Sequence, residues 1–325
     1  MTAIIPPRDA LTICFAHVAY RLGERFAARG TGIRHFEVRA AEDLARRIGE
    51  ADVLVVSGFW RNELAERAPR LRFIQSISAG TDQYSREALK ARGIRLASAQ
   101  GANERAVAEH AMALILALAR RLPEARDNQA KRHWRGMIGE IARREEEIGG
   151  KTLLVVGLGR IGQRLARLAK AFGLSVVGTK RDPSTGPGAA DAVHATRDLH
   201  ALLPAADIVA LTCPLAPETE NLIDEKALAA MKPGAQLVNV ARGRCVDEAA
   251  LAAALERGHL SAAALDCTRE EPLPMWSPLW QFPNVLITPH SAGETRRYED
   301  NVLDLLMENL ARLWRGEAAL RNQVI

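Results

Sequence analysis

Short apolar runs alternate with amphipathic stretches of helical length along most of the chain. Leu11–Phe15, Val53–Val56 and Arg72–Ser76 read as buried strands, with Ala41–Ile48 and Arg61–Arg67 as the helical stretches between them. Such alternation predicts a parallel, doubly wound α/β domain. From Asn103 to about Leu122 the pattern changes to a single helix whose centre, Ala111–Ala119, is apolar on every face. A helix of that kind must be covered all round. Two covers satisfy it: an interface between domains or subunits, or a central place within one domain. A second alternating series begins at Lys151. It predicts strands at Thr152–Val156, Ser175–Thr179, Ile208–Cys213, Ala235–Ala241, Ser261–Cys267 and Val285–Thr288. Helices are expected at Arg160–Phe172, Leu199–Ala205, Glu225–Met231 and Glu248–Arg257. The last helix, Thr295–Arg315, puts Tyr298, Val302, Leu306, Leu310 and Leu313 on one stripe, with Gly316 placed to end it. It follows the last strand of the second series directly, so the chain is expected to cross back. The expected fold class is α/β: two Rossmann-like doubly wound parallel-sheet domains around a cleft. Residues 1–101 with 294–325 form one domain and 102–293 the other.

Composition narrows the class. A length of 325 residues suits two domains, and 48% hydrophobic with 26% charged residues excludes disordered and collagen-like chains. No run approaches the roughly 18 apolar residues of a membrane span. The start, MTAIIPPRDALTICF, does not read as a signal peptide. A cytoplasmic protein with no membrane partner is expected. Cys14, Cys213, Cys245 and Cys267 show no CxxC spacing, so buried free thiols are expected in place of disulfides or a metal site. The net charge of +5 is modest, and pairs such as Arg120-Arg121 and Arg143-Arg144 are interleaved with Glu. That pattern reads as solvated helix faces, not a nucleic-acid surface, and it is compatible with an anionic small substrate.

The chemistry starts at Gly157-Leu158-Gly159-Arg160-Ile161-Gly162, which follows an apolar strand and opens a helix. In that context Gly157 permits a tight turn, Gly159 lets a pyrophosphate approach the backbone, and Gly162 lets helix and strand pack closely. The free amides of the helix start and its dipole attract the anion. A bound dinucleotide is therefore expected. The end of the next strand discriminates NAD from NADP, because an acid there binds the ribose 2′-hydroxyl and repels a 2′-phosphate. Here that position falls at about Lys180, followed by Arg181 and Asp182. Two cations favour NADP(H) over NAD(H), while Asp182 one or two residues on keeps NAD(H) open.

Three further segments leave strands at the edge where ligands bind in open α/β sheets: Val238–Gly243, Ala264–Leu273 and Asn284–Gly293. Together with Ser78-Ala79-Gly80-Thr81-Asp82, Val107-Ala108-Glu109-His110, Cys213-Pro214-Leu215 and Ser277-Pro278-Leu279-Trp280, they resemble the D-isomer-specific 2-hydroxyacid dehydrogenase family. The likeness runs over nearly the whole chain and is of the glyoxylate/hydroxypyruvate reductase kind. It implies hydride transfer between NAD(P)H and a 2-oxo acid or D-2-hydroxy acid, and a homodimer formed through the cofactor domain. By that resemblance Arg242, Glu271 and His290 match the catalytic Arg, Glu and His. His290 titrates near neutrality and suits proton donation to a carbonyl oxygen. Glu271, set beside Glu270, favours the imidazolium, and Arg242 binds and polarises the substrate. The resemblance assigns cofactor contacts to Gly157, Gly159, Arg160, Ile161, Gly162, Cys213, Pro214, Val240, Ala241, Asp266 and Gly293. It assigns the substrate carboxylate to the Ser78, Ala79 and Gly80 loop. Two positions depart from the family pattern: Thr212, where many members have His, and Thr268, where Phe is frequent.

Trp60 and Arg61 follow a strand of the first domain and read either as a wall and second cation of the substrate pocket or as the start of a helix. Trp134, Met275 and Trp276 are further aromatic or flexible candidates. Glyoxylate, hydroxypyruvate and larger 2-oxo acids all remain open as substrates. Two other readings share the motifs: a phosphite-type dehydrogenase and a dinucleotide-sensing corepressor-like protein. Formate oxidation is disfavoured, because by family pattern it places Gln where Glu271 stands.

Overall fold

Strands apolar on both faces need cover on both faces, and that is what the chain builds twice. The computed structural model describes residues 5–325. The chain divides into two compact units. One runs to Asn103 and takes up the chain again from Glu294, and the other is Glu104–Gly293.

The first unit contains β1 (Thr12–Ala16), α1 (Leu22–Ala27), β2 (Arg34–Val38), α2 (Ala41–Arg47), β3 (Val53–Val56), β4 (Phe73–Ser76), α3 (Arg86–Ala91) and β5 (Arg95–Ala97). Its five strands are all parallel, in the order β2-β1-β3-β4-β5. Alternate residues feed opposite cores. Ile13, Phe15, Val53 and Val55 face one apolar cluster, while Cys14, Ala16, Leu54 and Val56 face the other. The C-terminal helix Tyr298–Trp314 closes the first cluster with the expected stripe of Tyr298, Val302, Leu306, Leu310 and Leu313, all buried.

The second unit contains α4 (Glu104–Ala119), α5 (Leu122–Ala130), β6 (Thr152–Val156), α6 (Arg160–Ala171), β7 (Ser175–Lys180), β8 (Ala192–Ala195), α7 (Leu199–Leu202), β9 (Ile208–Leu211), α8 (Glu225–Ala230), β10 (Gln236–Asn239), α9 (Glu248–Glu256), β11 (Ala262–Leu265) and β12 (Val285–Ile287). Its seven parallel strands run β12-β11-β10-β9-β6-β7-β8. The strand order reverses between β6 and β9, which makes that point of the carboxyl edge the place for a ligand. Leu153 and Val155 face one core, Leu154 and Val156 the other.

Several local expectations change. Asn62–Arg67 is a 3-10 helix where an α-helix was expected. The strands β2, β5 and β8 escape an apolar-run reading because they carry Arg, His or Glu. Two of them are sheet edges at the first unit and one is an edge at the second, where one side is open and need not be apolar. The all-apolar α4 is covered within its own unit: it packs on α6, β10 and β11, and Ala113 reaches the surface. Strands β9, β10 and β11 also stop sooner than their apolar runs. The residues beyond, 212–213, 240–242 and 266–267, leave the ladder and turn into the loops of the carboxyl edge.

Candidate active site

The glycine loop lies at the end of β6, at the point where strand order reverses. Gly157 has φ +97°, and a Cβ there would sit 2.6 Å from the Cα and N of Cys213. Only glycine fits on both counts. A Cβ on Gly162 would meet the Gly157 carbonyl oxygen at 2.6 Å and the Thr212 hydroxyl at 3.0 Å. Around Gly159, by contrast, the nearest atom to an added Cβ is 4.0 Å away, which leaves the open cradle a pyrophosphate requires. Gly159 caps the twelve-residue helix α6, and the amides of Arg160 and Ile161 have no intrahelical acceptor. The residues present therefore fit a dinucleotide. Thr212, one of the two departures, has a task here: its hydroxyl donates to the Gly157 carbonyl at 2.8 Å and ties the loop to β9. Cys213 backs the loop from below, with Pro214 following it at the surface. All four cysteines are buried free thiols.

At the end of β7 the Lys180 ammonium donates to the Thr185 hydroxyl at 3.1 Å and to the Gly186 carbonyl at 2.8 Å. Arg181 is exposed, with no partner among the described residues. Asp182 turns back on its own loop and accepts from the Ser184 amide at 3.0 Å, and the Ser184 hydroxyl and then its amide hold the carboxyl below the usual range.

The Arg242 turn is built by Asn239, which is fully buried at the end of β10. Its carboxamide accepts from the Ala241 amide at 3.0 Å and donates to the Arg242 carbonyl at 3.0 Å. The following Gly243 approaches the next loop so closely that a Cβ would lie 1.9 Å from the Thr268 carbonyl carbon. Thr268, the other departure, is buried beneath that turn, and its amide donates to Glu271 Oε1 at 3.1 Å. The Arg242 and Glu271 loops are thus locked backbone to backbone.

Beyond β12, His290 adopts φ +53°, a left-handed conformation rare for a non-glycine residue. Its Nδ1 lies 2.8 Å from Glu271 Oε2 and 3.0 Å from Oε1. Glu271, not Glu270, is the carboxylate at the imidazole. Among the described residues Nε2 has no partner. The hydrogen bond with Glu271 raises the His290 pKa; burial and Arg242 oppose the shift, and the charges of Glu271 and Asp266 assist it. Burial works against ionisation of Glu271, but His290, the Thr268 amide and Arg242 outweigh it, and its carboxyl titrates below the usual range. The buried Asp266 accepts from the Thr288 hydroxyl at 2.7 Å, the Ser291 amide at 2.9 Å and the Ala292 amide at 3.1 Å, so it anchors the loop that carries His290 and ends at Gly293.

In the first unit, Ser78, Ala79 and Gly80 follow β4 at the carboxyl edge. The Ser78 amide is already donated to Ser76 Oγ at 3.1 Å, so only the Ala79 and Gly80 amides stand without partners among the described residues. Trp60 does not line a pocket. Its side chain is 1% exposed, lies 5.7 Å from the Tyr84 ring and donates to Asn62 at 3.0 Å. The indole is too large and apolar to be left out of the core forming around it. Arg61 is exposed but folds onto its own turn, donating to the carbonyls of Gly58 at 2.9 Å and Trp60 at 2.8 Å.

Sequence reasoning passed over Asn239, Gly243, Thr288 and a role for His110. Asn239 carried a signal: it is a polar residue inside the apolar run Leu237–Ala241, where burial demands hydrogen-bond partners. Among the described residues no helix is long and apolar enough to cross a membrane.

Comparison with known proteins identifies the family. The model of the D-isomer specific 2-hydroxyacid dehydrogenase NAD binding domain matches residues 112–292. A D-3-phosphoglycerate dehydrogenase of Methanocaldococcus jannaschii is 38% identical over 283 residues, covering 86% of this chain and 52% of that protein. The chain thus spans about half the length of the phosphoglycerate dehydrogenases it matches. A glyoxylate reductase of Aeropyrum pernix is 37% identical over 286 residues, covering 85% of this chain and 84% of that protein. The solved structure of the TT0316 protein from Thermus thermophilus superposes with a TM-score of 0.84 at 35% identity, covering 97% of this chain and 100% of that one. With a glycine cradle that fits a dinucleotide, a His–Glu pair at the same sheet edge and these matches, the chain belongs to the D-isomer-specific 2-hydroxyacid dehydrogenase family.

Proposed function

We propose that the protein interconverts a 2-oxo acid and the corresponding D-2-hydroxy acid with NAD(P)(H), NADP(H) being favoured over NAD(H). The observation that carries this reading is the His290–Glu271 pair, 2.8 Å apart, beside Arg242 and on the same sheet edge as the glycine loop. A reduced nicotinamide held at the glycine loop would supply the hydride for the carbonyl carbon. His290 donates a proton from Nε2 to the carbonyl oxygen, and in the reverse direction Nε2 accepts the hydroxyl proton. Glu271 keeps Nδ1 protonated and stabilises the imidazolium. Arg242 binds the substrate carboxylate and polarises the carbonyl. In the first unit, the unpartnered Ala79 and Gly80 amides suit an anion such as a carboxylate, a task fitted to a glycine-containing turn.

Support for NADP(H) comes from the end of β7. Arg181 is exposed and unpartnered among the described residues, while Asp182 is engaged with Ser184. A guanidinium there suits a 2′-phosphate. The kinship with a glyoxylate reductase makes glyoxylate the first substrate to try. The test is oxidation of NADPH and of NADH, followed by absorbance of the reduced nicotinamide, against glyoxylate, hydroxypyruvate and larger 2-oxo acids. Turnover with at least one acid is expected, and His290→Ala lowers it by at least ~100-fold, the lower range for a general acid. No turnover with any acid, or near-wild-type turnover in His290→Ala, overturns the reading.

The proposal includes a second copy of the chain. α5 buries none of its residues, and Trp134, Met137 and Ile141 on the segment after it are exposed. Exposed apolar groups of this size along one segment suit an interaction surface. Light scattering at micromolar concentration should give the mass of a dimer; a monomer rejects this part.

A further inference from the structure

The loop that presents His290 is held from behind by a second imidazole that the proposed reaction does not use. His110 stands on α4, and its Nε2 lies 3.0 Å from the Thr288 hydroxyl and 3.5 Å from Asp266 Oδ1. The Thr288 hydroxyl has one proton and gives it to Asp266 Oδ1 at 2.7 Å. It must therefore accept from His110, which places a proton on His110 Nε2. The line of donors runs from His110 Nε2–H to Thr288 O–H to the Asp266 carboxylate. The same carboxylate receives the Ser291 and Ala292 amides, and the His290 amide closes on the Thr288 carbonyl at 2.9 Å. His290 is thus the one residue of its loop turned away into a left-handed conformation, with Thr288 on one side and Ser291 and Ala292 on the other pinned to Asp266. α4 is the fixed end of this line, because it is packed into the core of its unit.

We infer that His110 is a positioning residue: acting through the Thr288 hydroxyl and Asp266, it sets where the His290 imidazole stands relative to Glu271. The inference rests on the acid–base reading of His290 only for its effect on turnover. Its effect on the geometry of His290 is independent of that reading. The groups whose charge acts on His290 are Glu271, Arg242 and Asp266. Loosening the loop weakens the closest of these contacts, the one with Glu271, so the imidazole then loses its proton at lower pH.

The experiment uses the full chain with glyoxylate and NADPH, and follows the His290 titration by NMR, assigned by difference with His290→Gln. His110→Leu and Thr288→Val each lower kcat by roughly tenfold, leave KM for NADPH within about twofold, and move the His290 titration down in pH. His110→Gln and Thr288→Ser keep a donor and a hydroxyl in place, and hold kcat within about threefold of wild type. The double variant His110→Leu/Thr288→Val is no slower than the worse single one, as expected of residues acting in one line. An unmoved His290 titration in both single variants overturns the inference. So do additive losses, or equal losses in the Gln and Ser variants. If His290→Ala keeps its turnover while the titration still shifts in His110→Leu, the acid–base reading fails and the positioning role stands.

Discussion

Replacing Gly243 with Ala tests the way the site is locked together. A Cβ at 243 would lie 1.9 Å from the Thr268 carbonyl carbon, 2.1 Å from its oxygen and 2.3 Å from the Arg269 nitrogen. All three are backbone atoms, so no side chain can rotate away. Non-bonded carbons settle at about 3.5–4.0 Å, so one of the two loops must retreat by more than about 1 Å. On one side of the contact is Arg242; on the other is the Thr268 amide, which holds Glu271 Oε1 at 3.1 Å. Either retreat changes the position of Arg242 relative to the Glu271–His290 pair. A misplacement of ~1 Å in a catalytic constellation costs on the order of 10²-fold in rate. Overpacking of this kind costs about 1–3 kcal/mol of stability, and each kcal/mol lowers Tm by roughly 2–4 °C in a domain of this size. The assay is kcat/KM for glyoxylate with NADPH, beside a thermal melt and a fluorescence titration of NADPH. Activity should fall about 100-fold while the protein stays folded, and NADPH should still bind, because the glycine loop at β6 is untouched. Wild-type kcat in Gly243→Ala refutes the argument that this contact sets the geometry.

Three other outcomes follow from the same geometry. On the proposed mechanism reduction needs the His290 imidazolium, and because the Glu271 hydrogen bond raises the His290 pKa, the imidazolium persists to higher pH. In Glu271→Gln the fall of glyoxylate reduction with rising pH should therefore begin at lower pH; an unmoved limb in a pH profile of kcat/KM contradicts this. Replacing Lys180 and Arg181 with Ala should raise KM for NADPH at least ~10-fold more than KM for NADH, since bonds to a charged partner are worth about 1.5–3 kcal/mol. Equal effects on both cofactors rule out 2′-phosphate recognition. Asn239→Ala leaves the buried Ala241 amide without its acceptor, at a cost of about 1–3 kcal/mol, and frees the Arg242 turn. A lower Tm together with reduced kcat is expected, and an unchanged melt argues against it.

The Glu271 side chain joins chemistry that the primary structure announces to contacts it hides. The glycine loop, its strand and its helix lie together in one short stretch of chain, so apolar period and turn residues sufficed to read them. The same holds for the central strands, buried on both faces, and for the stripe of the C-terminal helix. The proposed catalytic triplet was legible by resemblance, because its motifs are local runs at strand ends. Other features needed the fold. His290 meets Glu271 across 19 positions, and Gly243 is forced to be glycine by Thr268, a neighbour beyond a different strand. Trp60 reads equally well as a pocket wall or as the start of a helix, and its packing against Tyr84 put it in the core instead. Ser78 matched a substrate loop, yet its amide is taken by Ser76. Edge strands β2, β5 and β8 are specified by the neighbour they pair with more than by their own apolar pattern. The class of fold, the dinucleotide cradle and the candidate reacting side chains were all readable from the primary structure, since each is written in residues near one another in the chain. Which carboxylate meets His290, and what holds that imidazole in place, was settled only on folding, because hydrogen bonds and close backbone approaches depend on distances in space that spacing along the chain does not encode.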